Sequence, residues 1–336
     1  MKYLLATMLI STSVLSSVLT GNAAEQIDAA ANLEYAKNSY WPGEWPDTDF
    51  SISSMNLRDI MSGGVPKDGI RAIDNPTFKP VADEVSIAAT EPVITVMLNG
   101  KARAYPLRYL TAHEIVNDVF QGMPIAVTFC PLCNSSVVFD ARIKGQAVEF
   151  GTTGKLHNSD LVMYDRLTET WWQQYNGTGI VGELTGQKLA VIPSRLESLE
   201  LFVQRFEDGE IMRAPTARTY GYNPYVNYDS SFRPFLYRGD YEGKIPALAR
   251  VVVVGDVGYS LEYLAEVKLL ETDNMRISWQ SGQNSALDHQ VIARGKDVGN
   301  IVVQKLKDGE WSDTAYMVSF AFAYKAFNPG KTIITE

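Results

Sequence analysis

The chain has 336 residues, of which 46% are hydrophobic and 21% are charged, a composition typical of a globular protein with a substantial core. Its net charge of −9 and its lack of any cluster of Lys and Arg argue against nucleic-acid binding, which needs concentrated positive charge. Two cysteines are too few for a disulfide framework, so we expect them to serve one local site.

Residues 1–24 have the features of a secretory signal peptide. Lys2 lies near the start, an apolar stretch covers residues 3–19, and the small residues Ala23 and Ala24 come at the end. The stretch is too short and too often interrupted by Ser and Thr to cross a membrane, and no other stretch approaches the ~20 apolar residues that a span needs. The sequence therefore predicts an exported, soluble protein of the periplasm or the extracellular space, without a membrane span.

We expect the mature chain to fall into four parts. Residues 25–90 form a turn-rich arm that wraps over the body, residues 91–217 a first β-rich unit, residues 218–249 a connector rich in Tyr and Pro, and residues 250–336 a second β-rich unit. The apolar runs in both units are short, and few stretches have helical periodicity. The predicted fold class is therefore mainly β (α+β), built from short-stranded β meanders with a few short helices.

A hairpin and a helix are predicted at the start of the first β-rich unit. Apolar alternation on both sides of Asn99-Gly100 indicates two strands joined by a two-residue turn. Thr111 and Glu114 match a capping box, which predicts a helix that starts at Thr111 and holds His113 in its first turn. Because a short connection leads from this helix into the cysteine-bearing strand, we expect His113 to point toward the sulfurs.

The two cysteines lie in a turn between two predicted strands. The apolar runs at residues 125–129 and 137–139 indicate buried strands, so the Cys-Pro-Leu-Cys-Asn segment between them must reverse the chain. Pro131 fixes its own φ just after Cys130, and Asn134 tolerates the left-handed conformation that such turns demand. The arrangement is similar to the metal-binding knuckles of rubredoxins and zinc ribbons, with Asn134 in place of a glycine.

The second β-rich unit repeats features of the first. Residues 258–264 resemble residues 104–110, and further along, at an offset of 150 residues (280 − 130), Gln280 and Gln283 take the places of the two cysteines. We predict that the two halves arose by internal duplication and that only the first copy keeps the thiols. Chance similarity between short strings is the alternative.

Four strings of the sequence together carry a resemblance to a known family. They are HEIVND at residues 113–118, TFCPLCNSSVVFD at residues 128–140, LHNSDLVMYDRLTETWW at residues 156–172 and YGYNPYVNYD at residues 220–229. Over most of residues 63–329 the chain resembles the bacterial family known as domain of unknown function 3179. That family usually has Gly where this chain has Asn134. The resemblance implies an exported bacterial protein with a site at the cysteines, and it implies no particular reaction.

Three interpretations of the cysteine pair are open. In the first, Cys130 and Cys133 are thiolate ligands of a soft metal ion, copper or zinc, in a metal-dependent oxidoreductase or a metal carrier. In the second, they form a redox-active dithiol, although such motifs usually stand at the start of a helix rather than between strands. In the third, they form a structural disulfide in a non-catalytic binding protein, closing a loop too small to add much stability. The knuckle geometry favours the metal.

A metal at the cysteines needs further ligands. Of the three histidines, His113 is the favoured ligand because the predicted helix carries it toward the knuckle, and His157 is the second choice. The further candidates to complete the site are Met163, Asp160 and a water. His289, in the second unit, is expected to be structural. No hydrolase, metalloprotease or nucleotide-binding motif occurs, so the small-molecule or protein substrate and any reaction are left open.

Overall fold

The computed structural model describes residues 27–336 of the chain. The predicted signal peptide, residues 1–24, lies outside the described residues. The described part is mainly β, as the sequence predicts, with five small sheets in a propeller-like ring and six short α-helices. Within residues 27–336, no helix is both long and apolar enough to cross a membrane.

The elements are short, as expected for meanders of small strands. The helices are α1 (Ala29–Asn38), α2 (Trp41–Glu44), α3 (Leu107–His113), α4 (Leu199–Arg205), α5 (Leu261–Val267) and α6 (Ala321–Phe327). The strands are β1 (Ile60–Ser62), β2 (Ile73–Asp74), β3 (Phe78–Pro80), β4 (Pro92–Leu98), β5 (Lys101–Pro106), β6 (Ile115–Phe120), β7 (Met123–Cys130), β8 (Ser135–Asp140), β9 (Arg142–Ile143), β10 (Gln146–Ala147), β11 (Phe150–His157), β12 (Asp160–Asp165), β13 (Trp171–Gln173), β14 (Thr178–Val181), β15 (Val191–Ile192), β16 (Ser194–Ser198), β17 (Glu210–Met212), β18 (Arg250–Val254), β19 (Val257–Ser260), β20 (Leu269–Glu271), β21 (Met275–Gln280), β22 (Asn300–Lys307), β23 (Glu310–Asp313), β24 (Met317–Phe320) and β25 (Ile333–Ile334).

Most strands pair with antiparallel neighbours, which short connections favour. The five sheets have the strand orders β1-β11-β12-β13-β14, β15-β8-β7-β6-β2, β16-β4-β5-β17-β3, β24-β18-β19-β25 and β20-β21-β22-β23, and β9 pairs with β10 in a separate ribbon. Three pairs are parallel: β2 with β6, β5 with β17, and β19 with β25. The cysteine turn joins β7 to β8, which are inner strands of their sheet rather than edge strands.

Two apolar clusters fill the interior, and β13 separates them. The arm places Trp41, Trp45 and Phe50 against Trp171 in the smaller cluster, with the ring centroids 5.1 to 5.4 Å from that of Trp171. Trp172, the next residue in the strand, faces the other way and belongs to the larger cluster, because successive side chains of a strand point to opposite faces. The sheet that contains β12 and β13 is therefore packed on both faces.

The prediction of a helix that starts at Thr111 is wrong. The observed helix α3 ends at His113, Glu114 follows with a positive φ of 61°, and the chain then enters β6. This strand is rich in Ile and Val, which favour strands, and the turn Gln121-Gly122 joins it to β7 as a hairpin, with φ of 50° and 77° at its two residues. His113 therefore lies in the last turn of its helix, not in the first.

The sheets that open the two β-rich units are alike, but the units as wholes are not. The order β16-β4-β5-β17 has the same strand directions as β24-β18-β19-β25. The helix after each first hairpin, α3 or α5, ends at a residue with positive φ, Glu114 or Lys268. The first unit also contributes β11 to β14, a sheet without a counterpart in the second. The prediction of two duplicated halves is therefore not supported.

Candidate metal site and adjoining cavity

The cysteine turn reverses the chain as predicted. Strand β7 ends at Cys130, β8 begins at Ser135, and these two residues are paired in the sheet. Between them Asn134 has a φ of 52°, the left-handed conformation predicted for it, and its backbone N–H donates to the carbonyl of Pro131 at 3.3 Å. The local sequence therefore accounts for the shape of the turn.

Contacts from distant parts of the chain hold the turn from outside. The backbone N–H of Phe320 donates to the carbonyl of Cys133 at 2.9 Å, and the hydroxyl of Tyr228 donates to the carbonyl of Leu132 at 2.9 Å. These donors come from the second β-rich unit and from the connector. The backbone of the turn is thus satisfied by partners that no local pattern encodes.

A buried carboxyl group completes a cluster with the two thiols. One ligand atom each of Cys130, Cys133 and Asp160 lies within 4.8 Å of the other two, and all three residues are at most 1% exposed. Both cysteines are free thiols, and the thiol of Cys130 is 3.9 Å from the carbonyl oxygen of Ser159, its acceptor. For a tetrahedral metal with bonds of about 2.3 Å to sulfur, two sulfur ligands lie about 3.8 Å apart, so the cluster has the right size for one ion.

Hydrogen bonds orient the carboxyl group of Asp160 from its far side. Its Oδ2 accepts from the side-chain amide of Gln173 at 2.6 Å and from the backbone N–H of Tyr175 at 2.9 Å, and its Oδ1 accepts from the hydroxyl of Ser135 at 3.2 Å. The amide oxygen of Gln173 in turn accepts from Nδ1 of His157 at 2.7 Å. His157 is therefore linked to the cluster through Gln173.

Burial disfavours negative charge on all three members of the cluster. It raises the pKa of the Cys130 thiol, raises the pKa of the Cys133 thiol well above its usual value, and raises the pKa of Asp160 to about 6. Hydrogen bonds to Asp160 offset part of this effect. Among residues 27–336, none of the three takes part in a salt bridge. The cluster therefore needs protons or a metal cation to be stable.

Three other residues, His113, His157 and Met163, are predicted ligands. His113 has both ring nitrogens engaged, with Nδ1 2.7 Å from the carbonyl oxygen of Arg71 and Nε2 2.8 Å from the hydroxyl of Tyr220. Met163 is fully buried within β12, and His157 is not one of the three residues whose ligand atoms lie within 4.8 Å of one another. Among the His, Cys, Asp and Glu side chains of residues 27–336, Asp160 is the one that joins Cys130 and Cys133 in a group close enough to hold a metal ion. Roles for His113, His157 and Met163 stay predictions. Asp160, one of the candidates named to complete the site, is the residue that lies with the two cysteines.

A cavity of about 380 Å³ adjoins the turn. Leu132, which stands between the two cysteines, forms part of its wall, together with Leu161 from β12 and Tyr225 and Phe235 from the connector. The cavity thus lies between the turn that joins β7 to β8, the sheet of β11 to β14 and the connector.

The carboxyl group of Glu114 reaches this cavity and was missed as a site residue, because the sequence assigns it to a helix cap. Glu114 is 8% exposed and lines the cavity. Burial, together with the nearby Asp160, raises its pKa to about 8. A carboxyl group with this pKa is mostly protonated at neutral pH and can exchange a proton there.

One comparison with known proteins gives a match. The model of the family described as "Protein of unknown function (DUF3179)" matches residues 67–331, which include the cysteine turn, Asp160 and Glu114. No curated protein and no solved structure matches the chain.

Proposed function

The chain belongs to the DUF3179 family, and from the chemistry of its buried cluster we propose that it binds one soft metal ion through Cys130, Cys133 and Asp160. The observation that carries the proposal is the convergence of two thiols and a carboxyl group within 4.8 Å in a fully buried place. Three groups that would repel one another as anions are stabilised together by a cation.

The donor set favours zinc over copper(I). Two thiolates suit either ion, but a carboxylate is a hard ligand that zinc accepts readily and copper(I) does not. Three protein ligands would leave a fourth position for a water or a substrate, as in catalytic rather than structural zinc sites. A bound zinc ion would supply Lewis-acid chemistry, whereas a metal carrier would use the same position for release or transfer.

The two other interpretations of the cysteines receive less support. A reactive dithiol needs a thiol whose pKa is lowered, and burial raises the pKa of both Cys130 and Cys133. A structural disulfide would use the same sulfurs, but it would not supply a cation to the buried carboxyl group of Asp160.

Metal analysis and thiol counting on the same samples test the proposal. We expect about one zinc per chain in the wild-type protein, loss of zinc in Cys130→Ser, and weaker binding in Asp160→Asn. Equal zinc in wild type and Cys130→Ser contradicts the proposal, and a protein without free thiols under non-reducing conditions favours the disulfide. The variants His113→Gln, His157→Gln and Met163→Leu serve as controls, since loss of zinc in one of them would add that residue to the ligands.

The proposed setting of this site is an exported protein. The support is the pattern of residues 1–24, a basic start followed by an apolar stretch and small residues. N-terminal sequencing of the protein recovered from its native host tests it, with a mature chain starting near Glu25 as the expected result. A chain that keeps Met1 would contradict it.

A further inference from the structure

The cavity beside the cysteine turn meets a polar side chain without a partner. Within residues 27–336, the carboxyl group of Glu114 makes neither a hydrogen bond nor a salt bridge, although the residue is only 8% exposed. The oxygens of this carboxyl group are not sealed from solvent, so they face the cavity. A ligand in the cavity can therefore pair with them.

The remaining wall is suited to an apolar molecule. Ile70, Leu132, Leu161 and Phe235 contribute hydrophobic surface, and the other charged residue of the wall, Lys155, already has a partner in Glu44, with Nζ 3.5 Å from Oε2. The volume of about 380 Å³ lies within the range of roughly 300–1,000 Å³ found for small-molecule sites.

We propose that this cavity binds a small uncharged molecule, with an apolar ring system and a carbonyl or similar acceptor that pairs with the carboxyl group of Glu114. An anion would lie close to Asp160 and the thiols, and a cation would need a second buried charge in a largely apolar wall. A neutral acceptor needs only the hydrogen bond that a protonated carboxyl group donates.

The cavity and the proposed metal site share the cysteine turn. Leu132 lies in the cavity wall and stands between Cys130 and Cys133 in the chain, whereas Cys130, Cys133 and Asp160 do not belong to the wall. The proposed ligand site is therefore a neighbour of the proposed metal site, and the two proposals are separate.

Three probes with one skeleton test the chemistry of the ligand. Calorimetric titration of the purified mature protein would use 2-acetylnaphthalene, 2-ethylnaphthalene and 1-(2-naphthyl)ethylamine, which differ in carrying an acceptor, no polar group or a cation. We expect the ketone to bind about tenfold more tightly than the hydrocarbon, since one hydrogen bond to an otherwise unpaired group is worth about that much. The amine should bind more weakly than the ketone.

Matched variants assign the effect to the cavity and to Glu114. Glu114→Leu should abolish the preference for the ketone, Glu114→Gln should keep it because an amide still donates, and Val65→Trp should weaken all three probes by filling the cavity. Absence of binding by every probe, tightest binding of the amine, or an unchanged ketone preference in Glu114→Leu would overturn the proposal. Zinc titration of the same samples keeps the two claims apart, because each can fail while the other holds.

Discussion

The first and second β-rich units use one backbone design for two different purposes. In both, a short helix ends at a residue with positive φ whose carbonyl accepts a hydrogen bond at 2.8 Å from a later strand: Phe129 donates to Glu114, and Trp279 donates to Lys268. Glu114 is buried against the cavity. Lys268 is exposed, with its ammonium 3.6 Å from the centroid of the Trp279 ring.

The difference lies in what covers the two strand ends. Cys130 is covered by the sheet of β11 to β14, which supplies Asp160, and by the connector, whereas Gln280 at the end of β21 is exposed. The same local chain path therefore yields a buried cluster of potential metal ligands only where additional structure excludes water and adds a carboxyl group. We infer that the sheet specific to the first unit, more than the knuckle itself, makes the site.

Replacing the two cysteines of the first unit with the glutamines found at the corresponding positions of the second should have the largest effect on zinc binding. In Cys130→Gln/Cys133→Gln both soft ligands are gone, so we expect complete loss of zinc. The free energy of unfolding should fall by about 1–3 kcal/mol, because larger side chains enter a fully packed place. Metal analysis and urea unfolding measure the two effects. Retention of zinc by this variant would show that the metal binds elsewhere.

The pH dependence of the free energy of unfolding should distinguish Glu114 from Lys268, the residues that follow helices α3 and α5. The pKa of Glu114 is about 8 in the folded protein against an ordinary value of 4.5, so the folded state holds a proton that the unfolded state has lost. The free energy of unfolding of the metal-free protein should therefore fall as pH rises from about 5 to 8, by up to about 1.4 kcal/mol per pH unit from this group.

Urea unfolding across this pH range measures that dependence. Glu114→Gln should remove most of the decline, and the exposed Lys268→Gln should keep it. The same slope in wild type and Glu114→Gln would contradict the assignment to Glu114.

Removing the support of Asp160 should have a smaller effect. Gln173→Leu takes away the amide that donates to Oδ2 of Asp160 at 2.6 Å, while the direct ligands stay in place. Because partners that orient a metal ligand typically contribute about 10- to 100-fold to affinity, we expect zinc affinity to fall by at least about tenfold. Competition with a chelator measures it. Asn176→Ala, in the turn beyond the same strand, is a suitable control and should leave the affinity unchanged.

Installing cysteines in the second unit should have the smallest effect. Gln280→Cys/Gln283→Cys recreates the pair at the corresponding positions, but Gln280 is exposed whereas Cys130 is buried. We expect zinc to stay at about one per chain and the free energy of unfolding to change by less than about 1 kcal/mol. A second equivalent of tightly bound zinc would show that the cysteine pair alone is sufficient.

Local turn chemistry was predictable from the sequence, because it depends on a few neighbouring residues. The turn at Asn99-Gly100 has φ of 50° and 74°, as a two-residue hairpin requires, and Asn134 adopts the predicted left-handed conformation. The prediction failed at Thr111 and Glu114, where a match to a capping box was outweighed by pairing of the following residues with β7.

The site itself was only half predictable. The spacing of the cysteines indicates a site, and Asp160 was one of several candidates to complete it. The choice among those candidates depends on how β12, from another sheet, packs against the turn. Glu114 and the cavity depend on the connector, whose Tyr-rich sequence has no regular periodicity. Such long-range packing leaves no local pattern in a single sequence.

The hydrogen bonds that reach the Cys133 carbonyl from Ser319 and Phe320 set the order in which the site can be assembled. Ser319 lies 186 positions after Cys133 in the chain. The two hydrogen bonds to the Cys133 carbonyl can therefore form only when nearly the whole polypeptide has been made. Contacts of such long range form late in folding, because a large loop must close first. We therefore expect the thiols to be exposed throughout biogenesis and metal insertion to follow maturation, which makes the nascent chain far more sensitive to oxidants than the finished protein.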